Sequence, residues 1–399
     1  MKRILFVDDE PNILAGLKRM LMRQRREWDM HFAESGLAAL DLLAASKPFD
    51  VVVSDMRMPV MQGYELLEIV AQKWPGASRL ILSGHAEHES ALRSAGVAHQ
   101  FLSKPCDPDT LKRAVARTCA LREQLAQNTI ADALNGLGGL PVLPAAYQQI
   151  RDELSQSEPS MQNVADILAS DIAMSTKILQ LVNSSYFGLP RKIETINQAA
   201  MLLGLKTIRD LVLTTSVFRT FAVDQNTLDT EALWRHGRDA AQLVRKMCAA
   251  AATDTLTAGE LGVAAFIQDV GQLALASMQP DSYVQVARQA EQTGDILAAE
   301  NDVFGAQHPA AGAYILGLWG LPDSIVEAVY FHHTSNPPKD QASDEAGFIA
   351  IANDILAAAK NPDESVADEL ISSLRDTPFH AHVATWLKQA RSGVLTEKS

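Results

Sequence analysis

The sequence predicts an α/β domain, built on a doubly wound sheet of five parallel strands, followed by an all-α domain. Two observations carry this. Short apolar runs near residues 3–7, 30–33, 51–54, 79–83 and 99–103 alternate with helical periodicity near 12–26, 36–46, 63–73, 86–95 and 107–127. The runs show no polar alternation, as expected of strands buried on both faces, and repeated strand–helix units give a parallel sheet. Beyond residue 140 the strand pattern is lost, helical periodicity continues, and Ala, Leu, Ile and Val are abundant.

The elements divide the chain into an α/β domain over 1–127, a linker over 128–140, a helical domain over 141–390 and a tail over 391–399. Asp107 and Pro108 open the last helix of the first domain as N-cap and first helical residue. That helix carries Leu111, Ala114, Thr118, Leu121 and Leu125 at three–four spacing, which suits either a face packed on the sheet or a short two-chain coil. The run Asn135-Gly136-Leu137-Gly138-Gly139-Leu140-Pro141 predicts an exposed hinge, and 336–346, with Pro337-Pro338, predicts a loop.

A chain of 399 residues with 47 % hydrophobic residues is long enough for two or three filled cores. Residues 1–127 hold 17 Lys+Arg against 16 Asp+Glu, whereas 128–399 hold 18 against 32, a net of −14. So acidic a second half makes a poor nucleic-acid binder, because cationic contacts to phosphate supply most of that affinity. No apolar run in the sequence reaches the length of a membrane span, and Asp8-Asp9-Glu10 cuts short the apolar stretch after Met1-Lys2-Arg3, which argues against a signal peptide. Cys106, Cys119 and Cys248 are scattered and form no CxxC pair, which suits a reducing cytoplasm.

The most informative residues sit at strand ends. Asp8 and Asp9 follow Ile4–Val7, Asp55 follows Val51–Ser54, and Lys104 follows Phe101–Ser103. In one parallel sheet these converge at its C-terminal edge, where open α/β sheets place their chemistry. Clustered carboxylates repel one another and call for a hard cation such as Mg²⁺, beside which a carboxylate can accept a phosphoryl group.

These residues sit in the segments Phe6-Val7-Asp8-Asp9-Glu10-Pro11, Ser54-Asp55-Met56-Arg57-Met58-Pro59 with Gly63, Leu82-Ser83-Gly84 and Phe101-Leu102-Ser103-Lys104-Pro105. Together they resemble the receiver domain of two-component response regulators, a flavodoxin-like fold. The resemblance implies that Asp55 accepts a phosphoryl group from a sensor histidine kinase or phosphotransfer protein. It implies Mg²⁺ on Asp9, Asp55 and the backbone carbonyl of Arg57, with Asp8 acting largely through water. Lys104 and Ser83 would hold the phosphoryl oxygens, Gly84 would leave room for them, and Phe101 would fill the position of the switching aromatic. His85 and His88 read as solvated residues at a helix start.

In the second half, Val164–Asp171, Lys177–Gly188 with Asn183-Ser184-Ser185-Tyr186-Phe187-Gly188, and Ile193–Gly204 resemble the HDOD domain, an all-helical relative of the HD metal-dependent phosphohydrolases. The likeness runs over roughly 137–335. The Asn183 amide is expected to satisfy backbone groups at the turn after its helix. The HD ligand pattern maps onto His236, Gln268-Asp269 and Asp354, with Gln268 where an imidazole is required. His308, His332 and His333 resemble the further histidines of HD-GYP relatives, although Thr334-Ser335-Asn336-Pro337-Pro338 follows where that family carries Glu and Gly-Tyr-Pro. An amide oxygen is a weak ligand, so the expectation is at most a weakly held transition metal and no turnover.

The expected function is that of a cytoplasmic response regulator whose HDOD domain acts through protein–protein contacts on a downstream signalling protein, without direct nucleic-acid binding or membrane insertion. A homodimer through the receiver face formed by the helix near 86–95, the last strand and the last helix is a further expectation. The alternatives are a degenerate HD-type phosphodiesterase and a nucleotide-sensing module, for which Arg191 and Lys192 are the nearest basic pair.

Overall fold

A computed structural model describes residues 1–83, 97–104, 106–124, 130, 134–135, 149–150, 152–154, 156, 158–183, 193, 195–213, 227–335 and 347–392. The expected helix at 86–95, Gly84, His85, His88, Pro105, the hinge residues 136–140, the segments 184–192 and 336–346, and the residues from 393 on lie outside the described residues, as does the side chain of Ser83.

The first domain is a five-stranded parallel sheet with strand order β2-β1-β3-β4-β5. The strands are β1 (Lys2–Val7), β2 (Trp28–Ala33), β3 (Val51–Asp55), β4 (Ser78–Ser83) and β5 (Gln100–Ser103). Helices α1 (Pro11–Met20), α2 (Gly36–Ala45), α3 (Gly63–Lys73) and α4 (Pro108–Gln124) cover its faces. Alternate residues of each strand feed opposite cores, as the period of two requires. Leu5, Val7, Val52, Ile81 and Phe101 pack with α2 and α3 through Ala39, Leu43, Leu66 and Val70. Ile4, Phe6, Val51, Val53, Leu80 and Leu102 pack with α1 and α4 through Leu14, Leu17, Leu111, Ala114 and Val115. Leu111 and Ala114 of the stripe on the last helix therefore pack on the sheet, while the Leu121 side chain and Leu125 lie outside the described residues. Strand order reverses at β1, so the crevice between the C-terminal ends of β1 and β3 is the natural site.

One expected helix divides. The periodicity over 12–26 yields α1 and then a separate 3₁₀ turn at Met22–Arg26. That turn buries no side chain, so no packing sustains a helical face through its arginines.

The second domain is helical: α5 (Met161–Ala169), α6 (Ile172–Asn183), α7 (Ile196–Leu213), α8 (Thr230–Ala250), α9 (Thr255–Ile267), α10 (Val270–Met278), α11 (Pro280–Thr293), α12 (Ile296–Phe304), α13 (His308–Leu318), α14 (Asp323–Tyr330), α15 (Phe348–Lys360), α16 (Glu364–Ser373) and α17 (His380–Arg391). One continuous core joins them, and Ile130 and Leu134 of the expected linker belong to it. Asn183 behaves as the sequence predicts: its Nδ2 donates to the Ile193 carbonyl at 2.8 Å and its Oδ1 accepts from the Ile193 amide at 2.7 Å. Residues Thr257–Met278, spanning α9 and α10, have a span's length and apolarity, but 78 % of that apolar window is buried inside the fold.

The two domains meet through a buried polar junction. Asn135, expected at the start of an exposed hinge, is fully buried. Its carbonyl accepts from Arg79 Nη2 at 2.8 Å and His99 Nε2 at 3.1 Å, its Nδ2 donates to the Gly76 carbonyl at 3.0 Å, and its Oδ1 accepts from the Tyr314 hydroxyl at 2.8 Å. His99 Nδ1 accepts from the Arg79 amide at 3.0 Å, which fixes the proton on Nε2. Burial, then the Arg79 charge, holds the His99 pKa well below the usual range, and burial brings Arg79 down to about 10. The Gln100 amide donates to the Gly317 and Leu318 carbonyls at 3.2 and 2.9 Å at the end of α13, where the Gly317 carbonyl also accepts from the Gly320 amide at 3.0 Å. Helix α4 also packs along α13. The described parts of the face expected to form a homodimer, β5 and α4, thus contact the helical domain within the chain, while its helix near 86–95 lies outside the described residues.

Candidate functional site

The sheet delivers the four strand-end residues to one place. Asp8 is buried, Asp55 is 8 % exposed, and the Lys104 ammonium lies 2.7 Å from both Asp8 Oδ2 and Asp55 Oδ1. Oxygens of Asp8, Asp9 and Asp55 all lie within 4.8 Å of one another. Local hydrogen bonds orient two of them: Asp8 Oδ1 accepts from the Glu10 amide at 2.9 Å, and Asp55 Oδ1 from the Met56 amide at 2.8 Å. Gly63 is needed here, because a Cβ at that position would stand 1.9 Å from the Asp55 carbonyl oxygen. Its absence lets the first turn of α3 abut the end of β3.

The electrostatics are those of a strained charge cluster. Burial raises the Asp55 pKa, and its pairing with Lys104 offsets this only in part. Burial opposes the Lys104 charge, but hydrogen bonds to Asp55 and Asp8 outweigh it and raise that pKa. Three all-oxygen donors converging this closely suit Mg²⁺, and the ammonium acts as their counter-charge. Phe101 is 3 % exposed and points into the core with α2 and α3. Ser83 ends β4, in register with Ser103. Arg57 is exposed in the loop after β3.

A second cluster lies in the helical domain, and it gathers four of the seven expected residues, Asp269, His308, His332 and His333. Asp269 caps α10, His308 is the first residue of α13, and His332 and His333 follow α14. The three Nε2 atoms converge, with His308 3.1 Å from His332 and 3.2 Å from His333. Asp269 Oδ1 lies 3.4 Å from His308 Nε2 and 3.7 Å from His332 Nε2. His236 stands further off, 3.9 Å from Asp269 Oδ2. Gln268 instead exchanges hydrogen bonds with Asn353 at 2.8 and 3.3 Å, and Asp354 is exposed and accepts from Ser335 at 3.0 Å. Gly271 makes the cluster possible: a Cβ there would come within 2.0 Å of the His308 carbonyl oxygen, so α10 and α13 could not cross.

Glu300 is the residue that sequence reasoning missed. It is fully buried on α12, and its Oε2 accepts from both the backbone amide and Nδ1 of His308, at 2.7 and 2.8 Å. Tyr283 donates to its Oε1 at 3.2 Å. Burial opposes charge on His308, but Glu300 and Asp269 overcome it and lift the pKa to about 9, whereas burial and its neighbouring histidines drop His333 to about 3. Burial would raise Asp269, yet hydrogen bonds from His308 and His332 leave it well below the carboxylate range.

Comparison with known proteins agrees with both halves. The response regulator receiver domain family matches residues 4–116, and the HDOD domain family matches residues 140–335. This chain belongs to the response regulators that join a receiver to an HDOD domain. Among curated relatives, the response regulator protein PilR of Pseudomonas aeruginosa is 32 % identical over 37 % of this chain and 33 % of its own length. An uncharacterized protein of Treponema pallidum is 22 % identical over 62 % of this chain and 48 % of its own length. The chain thus spans half or less of these relatives. A solved virulence factor from Campylobacter jejuni shares the fold, with a TM-score of 0.52 and 22 % identity over 66 % of this chain and 98 % of that one.

Proposed function

We propose that this response regulator takes a phosphoryl group on Asp55 from a sensor histidine kinase or phosphotransfer protein. The bridging position of Lys104 between Asp8 and Asp55 carries this reading. Asp55 Oδ1 is held by Lys104 and the Met56 amide, which leaves Oδ2 to attack phosphorus as the donor's P–N bond breaks. Asp8, Asp9, Asp55 and the Arg57 carbonyl would hold Mg²⁺, which would supply positive charge against the phosphoryl oxygens. Lys104 turns from the carboxylates to those oxygens, and the Ser83 hydroxyl donates to another.

The HDOD domain acts without turnover, in the cytoplasm, by binding a downstream signalling protein rather than nucleic acid. Control passes through the domain junction. Strand β5 is four residues long, with Gln100 clamped to α13 at one end and Lys104 just beyond the other. A new charge that redirects Lys104 therefore biases how the receiver packs on the helical domain. In full-length protein treated with acetyl phosphate and Mg²⁺, intact mass should rise by one phosphoryl group and Asp55→Asn should abolish the gain. Persistent labelling of Asp55→Asn would refute the acceptor assignment.

A further inference from the structure

We propose that the groove between α8, α9 and the start of α7 binds a nucleoside phosphate, with its phosphates on Arg238 and Arg245 and its base on the apolar floor. None of the described residues lining this groove belongs to the histidine cluster. The site goes beyond the reading of the HDOD domain as a protein-binding module, and it is independent of phosphorylation at Asp55.

Helix α8 brings three polar side chains to one face. Arg238, Gln242 and Arg245 follow one another at spacings of four and three, and all three line a cavity of about 410 Å³. Both arginines are exposed, and neither has a hydrogen-bond or ion-pair partner among the described residues. A carboxylate three or four positions away would pair either one on the helix surface. Helix α8 has none there, because Trp234, Arg235, Ala241, Gln242, Cys248 and Ala249 fill those places. The Arg238 and Arg245 backbones stand about 10 Å apart along the helix, so the two long side chains can converge on one phosphate chain. Gly262 of α9 gives Arg245 its bed: a Cβ there would stand 3.3 Å from Arg245 Nε.

The opposite wall is the start of α7. Asn183 brackets Ile193 and so fixes the approach to Thr195. Thr195 Oγ1 accepts from the Gln198 amide at 3.2 Å and its carbonyl from the Ala199 amide at 3.0 Å. The first helical amides, of Ile196 and Asn197, have no intrahelical partner and add donors to those of the guanidiniums.

The floor is apolar. Leu179, Ile196, Val263 and Phe266 line it, and Val263 and Phe266 are only half-buried, which leaves a surface on which a flat ring can lie. Asp166 is the one carboxylate among the described lining residues; it accepts from Gln162 at 2.9 Å and pairs with neither arginine. A carboxylate there repels a second anion but accepts from hydroxyls, so the wall favours a ligand that carries hydroxyls beside its charge. A nucleoside phosphate meets each demand with its ring, its sugar and its anionic tail. The volume is that of a small-molecule cleft with an apolar lining and a few placed polar groups. Bound there, the ligand would tie α7, which packs on α5, to α8 and α9 of the core.

The test uses full-length protein in EDTA, which keeps divalent cations off the receiver carboxylates, and follows the fluorescence of mant-ATP and mant-GTP. At least one of the two should bind saturably with one equivalent. Arg238→Gln and Arg245→Gln should each weaken binding by about tenfold or more, as expected for loss of a charge-assisted hydrogen bond. Both side chains are exposed, so the variants should fold. Arg235→Gln, on the same helix but absent from the lining, should stay within about twofold of the parent. Adenosine or guanosine and inorganic triphosphate should each displace the probe at least about tenfold more weakly than the matching nucleotide. No saturable binding below about 1 mM, or parent affinity in both arginine variants, would overturn the site. Inorganic triphosphate competing as well as the nucleotide would reduce the groove to an anion patch, and a phosphopeptide competing better would reassign it to a protein partner; either overturns the proposal. None of these outcomes bears on labelling of Asp55.

Discussion

Lys104→Met should tighten Mg²⁺ binding at the receiver site even as it blunts the response to phosphorylation. The Lys104 ammonium lies 2.7 Å from an oxygen of Asp8 and 2.7 Å from an oxygen of Asp55, two of the three carboxylates that the metal needs. Mg²⁺ binds such oxygens at about 2.1 Å, so the two cations would stand roughly 5 Å apart. At that range charges of +1 and +2 repel by ~2 kcal/mol in bulk water and ~7 kcal/mol at an effective dielectric of 20. The Lys104 side chain is 25 % exposed and can swing outward, which favours the lower figure. About 2 kcal/mol corresponds to roughly 30-fold in affinity. Methionine keeps the length and apolar stem of lysine without its charge. Isothermal titration of MgCl₂ into parent and variant, at fixed ionic strength, measures the difference. Equal or weaker Mg²⁺ binding by the variant would refute the view that the ammonium occupies the metal's electrostatic place.

Asp55→Asn should raise the melting temperature at pH 7. The folded-state pKa of Asp55 is raised by burial, so the folded chain holds this proton more tightly than the unfolded one, and stability falls as pH climbs from the 3.8 of an unperturbed aspartate through the folded value; the gain in the variant should therefore vanish toward pH 3. Tyr314→Phe strips the Asn135 side-chain oxygen of its buried donor and should cost about 1–3 kcal/mol in urea unfolding, with faster proteolysis between the domains. Gly63→Ala places a Cβ 1.9 Å from the Asp55 carbonyl and should destabilise the receiver by roughly 1–3 kcal/mol while slowing labelling by acetyl phosphate, because the end of β3 must shift.

The receiver site was legible because its chemistry is written at strand ends. Each of Asp8, Asp55 and Lys104 directly follows or closes an apolar run, and a parallel sheet brings such ends to one edge whatever the details of packing. The absence of polar alternation within those runs likewise marked strands buried on both faces, and the structure then sorted their alternate residues into two cores. The Asn183 turn was readable for a similar reason: its partner lies ten residues away, within one local connection. By contrast, the expected hinge began at the most deeply shared polar residue of the junction. Nothing in the run of glycines after Asn135 indicates that its backbone carbonyl is buried against Arg79 and His99 and its side-chain oxygen against Tyr314, residues 36 to 179 positions away. Polar His99 and Gln100 at the start of an apolar edge strand were the one available signal that this edge is covered.

Sequence alone therefore determined the order of the described elements, the two domains and the carboxylate–lysine cluster, because these follow from periodicity and from where strands stop. Only the tertiary structure decided which histidines meet. Asp269, His308 and His332 lie at the ends of three separate helices, and their convergence depends on the crossing of α10 and α13 at Gly271, a contact between helix backbones that side-chain periodicity does not encode. The same crossing leaves Gln268 paired with Asn353, so a residue that the motif marks as a missing ligand is spent on a hydrogen bond elsewhere. Glu300 became visible for the same reason: a buried carboxylate is explained by the imidazole it holds, and that imidazole arrives from the next helix.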